Sequence, residues 1–572
     1  MKKIILTVAL ISIAASAMCA DLKDRQSDTW AATDALGRVL PMSGEVRERR
    51  DDKFVGMFYF LWLGHHFNNA IGPHDVSKIL KEDPDAMSKP DSPLWGPKNA
   101  FHYWSEPYFG YYSSMDKWVY RKHAEMLTDL GVDTVIFDTT NGYTYTEEYM
   151  TLCEVWSRMR KEGMNTPCIA FLTRFVGVVD EVNKIWDEFY GKGLYKELWF
   201  MWKGKPLILT NEPELPQKYK DFFTVRCCEP SYFIGPAHER VWGWLQVYPQ
   251  HEFVGDDMNK CEEMTVGIGQ NGANGLCCAF SEPGTHGRSY HNGATDTRPG
   301  AVNYGYNFAE QWERALKVDP DFVFITGWNE WIAMRLDSFP NSKGPVQFVD
   351  CYTQEKSRDI EPMKGGHGDN YYYQTADYIR RYKGARPVPG KKFATVKKMA
   401  DWDKIPAEYF DSIGDTAHRN EKGVQLAPVY VNETGRNDFE CCKVAHDKKN
   451  IYFYVQTKDA IKDMADPGSM VLLIDTDGDM TNGFHGYDLI VNRTFEGKKC
   501  DLRDGSGKVL GKVKCEAAGN RFFVTVPRKI PGKNNDFSLR FKWSDNMQDK
   551  SDAMDFISNG DAAPNGRFAY VY

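Results

Sequence analysis

Glu330 stands near the end of the run Phe322–Trp331, FVFITGWNEW, where five apolar or β-branched residues feed a Gly-Trp-Asn-Glu-Trp turn. A carboxyl group flanked by Trp328 and Trp331 is partly withdrawn from water. That holds its proton more tightly than in a free glutamic acid and suits a general acid. The plainer alternative is a loop salt bridge with Arg335. Asp138 ends a second apolar run, in GVDTVIFDTTNG, followed by Thr139, Thr140 and Asn141. It is suited either to be a second catalytic carboxylate or to brace its own loop by accepting amide hydrogen bonds. Glu229, just past the short run Phe223–Arg226, is the reserve. Binding groups are expected at the same kind of position: Trp62, His65 and His66 in FLWLGHHF, Arg174 closing IAFLTRF, His286 in HGRSYHNG, and Trp328, Asn329 and Trp331 beside Glu330. His65, His66, His286 and His291 lack a metal-ligand spacing, so no cofactor is expected for catalysis.

Such groups need a scaffold that brings strand ends together. Eight short apolar runs alternate with amphipathic stretches: Phe54–Trp62, Thr134–Asp138, Cys168–Arg174, Pro206–Thr210, Phe223–Arg226, Gly243–Val247, Met264–Ile268 and Phe322–Gly327. Asp116–Leu130 and Glu147–Gly163 have helical periodicity. Fully apolar strands separated by helices imply a parallel sheet covered on its faces. Eight of them predict an α/β fold of the (β/α)8 TIM-like barrel type, over residues 51–384, with functional groups at the carboxyl ends of the strands. The fifth to seventh runs are weakly defined. No GxGxxG follows a strand and no Walker-type loop is present, which argues against dinucleotide and nucleotide folds.

Residues 1–20 read as a signal peptide. Lys2 and Lys3 precede an apolar stretch too short to span a bilayer, and small residues lead up to Asp21. Cys19 offers a second reading, a lipid anchor. No later segment is apolar for long enough to cross a membrane, so the expected location is outside the cytoplasm, in the periplasm or at the cell surface, as a monomer. Residues 21–50 form a polar leader. Residues 385–405, rich in Gly, Pro and Lys, form a linker. Residues 406–572 carry an alternating all-β pattern, as in Asn450–Gln456 and Arg521–Pro527, and predict a β-sandwich. Within it, LLIDTDGDMTNGFHGYDLIVN places Asp475, Asp477 and Asp479 around Gly478, with Asp488 on the next strand. This set of hard oxygen ligands suits a structural calcium ion; a solvated acidic turn is the simpler alternative. Trp402 and Trp543 are candidate sugar-facing rings.

The chain has 572 residues, 42% hydrophobic and 14% aromatic, enough for two packed cores. Its formal net charge of −8, with no basic stripe, excludes nucleic acid as an expected partner. Thirteen cysteines include the adjacent pairs Cys227-Cys228, Cys277-Cys278 and Cys441-Cys442 but no CxxC. Twelve remain after Cys19, which permits disulfides in an exported protein, although many read as small buried hydrophobes.

The strand endings FYFLW and TGWNEW, the tract SRDIEPMKGGHGDNYYYQ at Ser357–Gln374 and the closing IRRYKG resemble the family 71 and family 99 glycoside hydrolase-like barrels, including WbsX-like proteins of Bacteroidetes. The resemblance covers roughly residues 50–385 and implies a glycan substrate hydrolysed by carboxylate acid/base chemistry. Glu330 matches the later motif glutamate of family 99. The family's earlier glutamate falls at Gly327, so its substrate-assisted route does not carry over, and the second carboxylate must come from Asp138 or Glu229. The missing glutamate also motivates the alternative, a glycan-binding protein on a degenerate barrel. The acidic tract of the second domain resembles family 9 carbohydrate-binding modules.

Overall fold

The computed structural model describes residues 23, 25–64, 72–529 and 538–572. The expected signal peptide, Cys19, His65 and His66 lie outside the described residues.

Eight parallel strands build the first domain: β1 (Phe54–Tyr59), β2 (Thr134–Thr139), β3 (Cys168–Thr173), β4 (Lys205–Leu209), β5 (Thr224–Cys228), β6 (Val241–Trp242), β7 (Cys261–Gly267) and β8 (Phe322–Thr326). They pair in sequence order from β1 to β6, and β8 pairs with both β7 and β1. A two-residue antiparallel strand, Phe253–Val254, fills the space between β6 and β7. The Arg240 N–H donates to the Val254 carbonyl and closes the ring. Helices α1 (Lys117–Leu130), α2 (Thr146–Lys161), α3 (Val179–Ile185) and α4 (Gln217–Phe222) follow strands in the expected alternation. Helix α5 (Tyr306–Val318) links β7 to β8, and α6 (Asn370–Lys383) closes the domain. No labelled helix separates β5, β6 and β7, so those strands lack the helical punctuation that made the others legible. The sixth run shows the result. Its strand lies at Val241–Trp242, ahead of the expected Gly243–Val247, because the Gly243 amide is taken by the Glu263 side chain (2.8 Å) and leaves the ladder.

Strand periodicity decides which side chains face the lumen. Phe58, Ile136, Leu172, Leu209, Trp242, Phe322 and Phe324 form one buried cluster inside the barrel. Val55, Met57, Val135, Phe137, Ile169, Phe171, Val323 and Ile325 belong to the larger core under the helices. Gly56 is required by this packing, since a Cβ there would stand 2.5 Å from the Phe322 ring. Asp138 shares the parity of Ile136 and so emerges on the lumen side, at the carboxyl end of β2.

The second domain is built on one continuous antiparallel sheet of eleven strands, bent into a nearly closed, barrel-like sandwich, with a separate two-stranded hairpin of Arg419–Lys422 and Val429–Asn432 among the described residues. It runs from Tyr409–Phe410 to Tyr570–Val571, and the Phe439 amide donates to Asp561 across the closure (2.6 Å). The linker is pinned: Arg386 pairs with Asp28 of the leader, and Trp402 packs on Tyr454 and Phe523. Both Trp402 and Trp543 are fully buried, so neither presents a ring to a sugar. The leader threads between the domains. Trp30 meets Phe568 and Tyr570 edge-on, and Ala31 bridges to Ala569. On the barrel side, Asp116 caps α1 by accepting from the Trp118 and Val119 amides and also pairs with Arg419 of the second domain (2.7 Å). All twelve described cysteines are free thiols. No helix among the described residues is long and apolar enough to cross a membrane.

Candidate active site

At the carboxyl ends of the strands a cleft of about 550 Å³ opens. Its walls include three carboxylates, Asp138, Glu330 and Asp350, and the rings of Phe58, Trp62, Phe101, Tyr143 and Trp244. Glu330 is 6% exposed and accepts a hydrogen bond from Arg358 Nε (2.8 Å). Withdrawal from water outweighs that attraction, and with Asp350 and Asp138 nearby the carboxyl is pushed up to about 8. Asp138 accepts from the Thr140 amide (3.0 Å), the Thr140 hydroxyl (2.8 Å) and Trp62 Nε1 (3.5 Å). Burial still raises it above the ordinary aspartate value. Asp350, its side chain 42% exposed, accepts from Arg358 Nη2 (3.3 Å). One guanidinium thus serves two of the three acids, and its third contact is the Asn271 side chain (3.2 Å).

Asp138 combines both expected roles: it braces its loop and lines the cleft. Glu330 pairs with Arg358, whereas Arg335 donates instead to the Pro90 carbonyl. Trp62 is half-buried at the cleft, stacked near-parallel on Tyr145 and edge-on to Phe101. The residues on either side of Glu330 point away from it. Trp328 and Trp331 are fully buried, the first against His123 and Tyr372, the second stacked on Trp104. Asn329 exchanges hydrogen bonds with the Phe60 backbone (2.9 and 3.1 Å). These three fix the turn rather than line the cleft. Of this turn only Glu330 reaches the cleft, so its sequence neighbours do not wall the cleft around it.

Glu229 accepts from the Ser231 amide (3.0 Å) in the turn after β5 and does not line this cleft. Arg174 pairs with Glu181 (3.4 Å) and lies against Gly142 in the Asp138 loop. His286 stacks on Tyr290, and burial lowers it to about 4; it too lies outside the cleft lining. Sequence reasoning missed Arg358 and Asp350. Arg358 has a signal in retrospect: SRDIEP packs four charged or polar groups into six residues, and Ser357 to Glu361 are all essentially buried. Asp350, in a short VDC context, has none. At Gly327 an added Cβ would meet the Phe58 ring at 3.0 Å, so a larger side chain there requires Phe58 to move.

In the second domain Asp475, Asp477 and Asp488 bring one carboxylate oxygen each within 4.8 Å of one another. Asp475 Oδ2 is buried with no hydrogen-bond partner, and Arg540 Nε stands 3.7 Å from it as an ion-pair partner. Asp479 falls outside the group. It is exposed, and its Oδ1 accepts from the Thr481 amide and hydroxyl.

No family model and no curated protein matches the chain. Among solved structures, the chain is similar to a GH99 endo-alpha-mannosidase from Bacteroides thetaiotaomicron, at 17% identity and a TM-score of 0.34 over 59% of this chain and 99% of that one. The same enzyme in complex with BIS-TRIS-Propane gives 16% identity and a TM-score of 0.33, covering 58% and 97%. Likeness at that level decides nothing about fold or chemistry. The barrel assignment rests on the strand pairing given above.

Proposed function

We propose that the barrel is a glycoside hydrolase in which Glu330 protonates the departing glycosidic oxygen and a second carboxylate, Asp138 or Asp350, activates water or attacks the sugar. The observation that carries this reading is the gathering of three carboxylates and five aromatic rings around one open cleft at the strand ends. The aromatic faces suit the apolar faces of a sugar ring, and two acids in different environments suit the division of labour that glycoside cleavage needs. Glu330, held protonated near neutrality, fits the acid. Asp138, oriented by three donors, fits the base or nucleophile. We further place the protein outside the cytoplasm, on the strength of its first twenty residues.

A panel of defined oligosaccharides tests the assignment by release of new reducing ends. The unaltered protein is expected to cleave at least one member. Asp138→Asn is expected to lower kcat/KM on it by about 10²-fold or more. A second reading, binding without turnover, draws on the Glu330–Arg358 ion pair, which can equally be structural. Saturable binding of a glycan with no cleavage of any member would overturn hydrolysis in its favour.

For the acidic loop of the second domain we propose a calcium ion held by Asp475, Asp477 and Asp488. Calcium is then expected to raise the melting temperature of that domain, and Asp477→Asn to lessen the rise while leaving turnover unchanged. An unmoved melting temperature in the unaltered chain excludes the ion.

A further inference from the structure

We propose a second cation site, independent of the hydrolase reading, at the junction of the two domains, where Asp411, Asp415 and Asp561 hold a divalent cation of the calcium type and weld the sheet to the barrel. One carboxylate oxygen from each lies within 4.8 Å of the others, and all three residues are buried. A calcium ion with bonds of about 2.3–2.6 Å spans about 5 Å between opposite ligands, so the separation suits one ion.

Proximity of three acids alone says little. The decisive feature is what surrounds them. Both oxygens of Asp411, both of Asp415 and Oδ1 of Asp561 have no hydrogen-bond partner, and neither does the hydroxyl of the fully buried Ser412. Buried polar atoms are normally satisfied, and an ionised carboxylate left bare is costly. Three buried acids, with five orphaned carboxylate oxygens between them and one oxygen of each within 4.8 Å of the others, supply much of the oxygen set that calcium takes.

Charge points the same way. The groups facing the cluster come from every element packed there: Arg25 from the leader, Arg121, Lys122, Glu125 and Asp129 from α1, and Asp438 and Lys542 from the sheet. Rim partners are Glu162 beside Arg121 (3.0 Å) and Lys458 beside Asp438 (3.9 Å). Together they give seven carboxylates against five cations. A divalent ion balances the set. The nearest protein cation to Asp415, Lys122 Nζ, stands 3.7 Å away and is shared with Glu125 (3.2 Å). Lys542 spends its ammonium on the Pro564 carbonyl. In the absence of a cation, burial and mutual repulsion drive Asp411 and Asp561 far above the ordinary aspartate value, so protons are the competing occupants.

The test uses the full chain carrying Asp477→Asn, which disables the exposed acidic loop. After incubation with calcium and desalting, elemental analysis is expected to find one tightly held ion per chain, and adding Asp411→Asn is expected to remove it. No ion in the Asp477→Asn chain, or the same ion retained with Asp411→Asn, overturns the proposal. Should Asp411→Asn fail to fold, crystals of the unaltered chain soaked in terbium decide. An anomalous peak between the three carboxylates supports the site, whereas a water molecule there, or the Arg25 guanidinium turned onto Asp411, overturns it.

Discussion

Glu330→Gln is expected to lower kcat/KM by about 10²–10⁴-fold on any glycan the protein cleaves, the range that loss of a general acid gives. Glutamine keeps the volume and still accepts a hydrogen bond from Arg358, so the cleft and the turn should survive; what disappears is the transferable proton. The pH profile carries the sharper signature. With the carboxyl pushed up to about 8, activity of the unaltered protein should fall as pH rises through that value, because the acid arrives deprotonated. Asp138 is raised above its ordinary value, so the acidic limb should lie above the usual aspartate range as that group gains its proton. Glu330→Gln should erase the alkaline limb and leave the acidic one. A variant that keeps full turnover and an unchanged alkaline limb removes Glu330 from the chemistry.

The same shift has a sign for stability. The folded-state value of Glu330 lies above the 4.5 of an unstructured glutamic acid. Its contribution is therefore complete below about 4.5 and is lost as pH rises toward about 8, where the fold must hold a buried negative charge. Arg358 softens that loss without reversing it. The barrel of Glu330→Gln should therefore lose less stability than the parent barrel between neutral and alkaline pH, measured by denaturant midpoint.

How far the sequence went can be read from particular residues. Seven of the eight barrel strands were found within a few residues, because apolar runs of five or six residues between helical stretches have few other structures to adopt. β6 was displaced because no helix precedes it and a side chain, not a strand, takes the Gly243 amide. Asp138 and Glu330 were legible because strand ends in a parallel barrel converge. The surroundings of Glu330 were not. Trp328 and Trp331 looked like its walls, yet both are turned into the core, and its actual partner is Arg358, 28 positions along the chain. No local pattern reports that distance. The buried charges between the domains were equally silent, since Arg25, Glu125, Asp411 and Asp561 meet only when four separate segments pack.

Behind the turn lies the group whose removal should cost most in stability. Glu361 is fully buried, and its two oxygens accept from Trp331 Nε1 (2.5 Å) and the Tyr112 hydroxyl (2.7 Å) and contact His123 Nε2 (2.9 Å). His123 in turn meets the Tyr59 hydroxyl (2.7 Å), so β1, α1, the β8 turn and the SRDIEP tract are tied at one carboxylate. Glu361→Ala leaves an indole N–H and a phenol facing a void. Removing one partner of a buried charged network costs about 3–5 kcal/mol, well above the roughly 1 kcal/mol of a typical single hydrogen bond. The expected result is a lower denaturant midpoint for the barrel together with loss of turnover, because Trp331 and Asn329 hold Glu330 in place. Glu361→Gln separates the two effects: it retains shape and most contacts, and so should recover much of the activity while remaining less stable than the parent. If Glu361→Ala unfolds at the parent's midpoint, the network does not anchor the turn, and the position of Glu330 must be set by Arg358 alone.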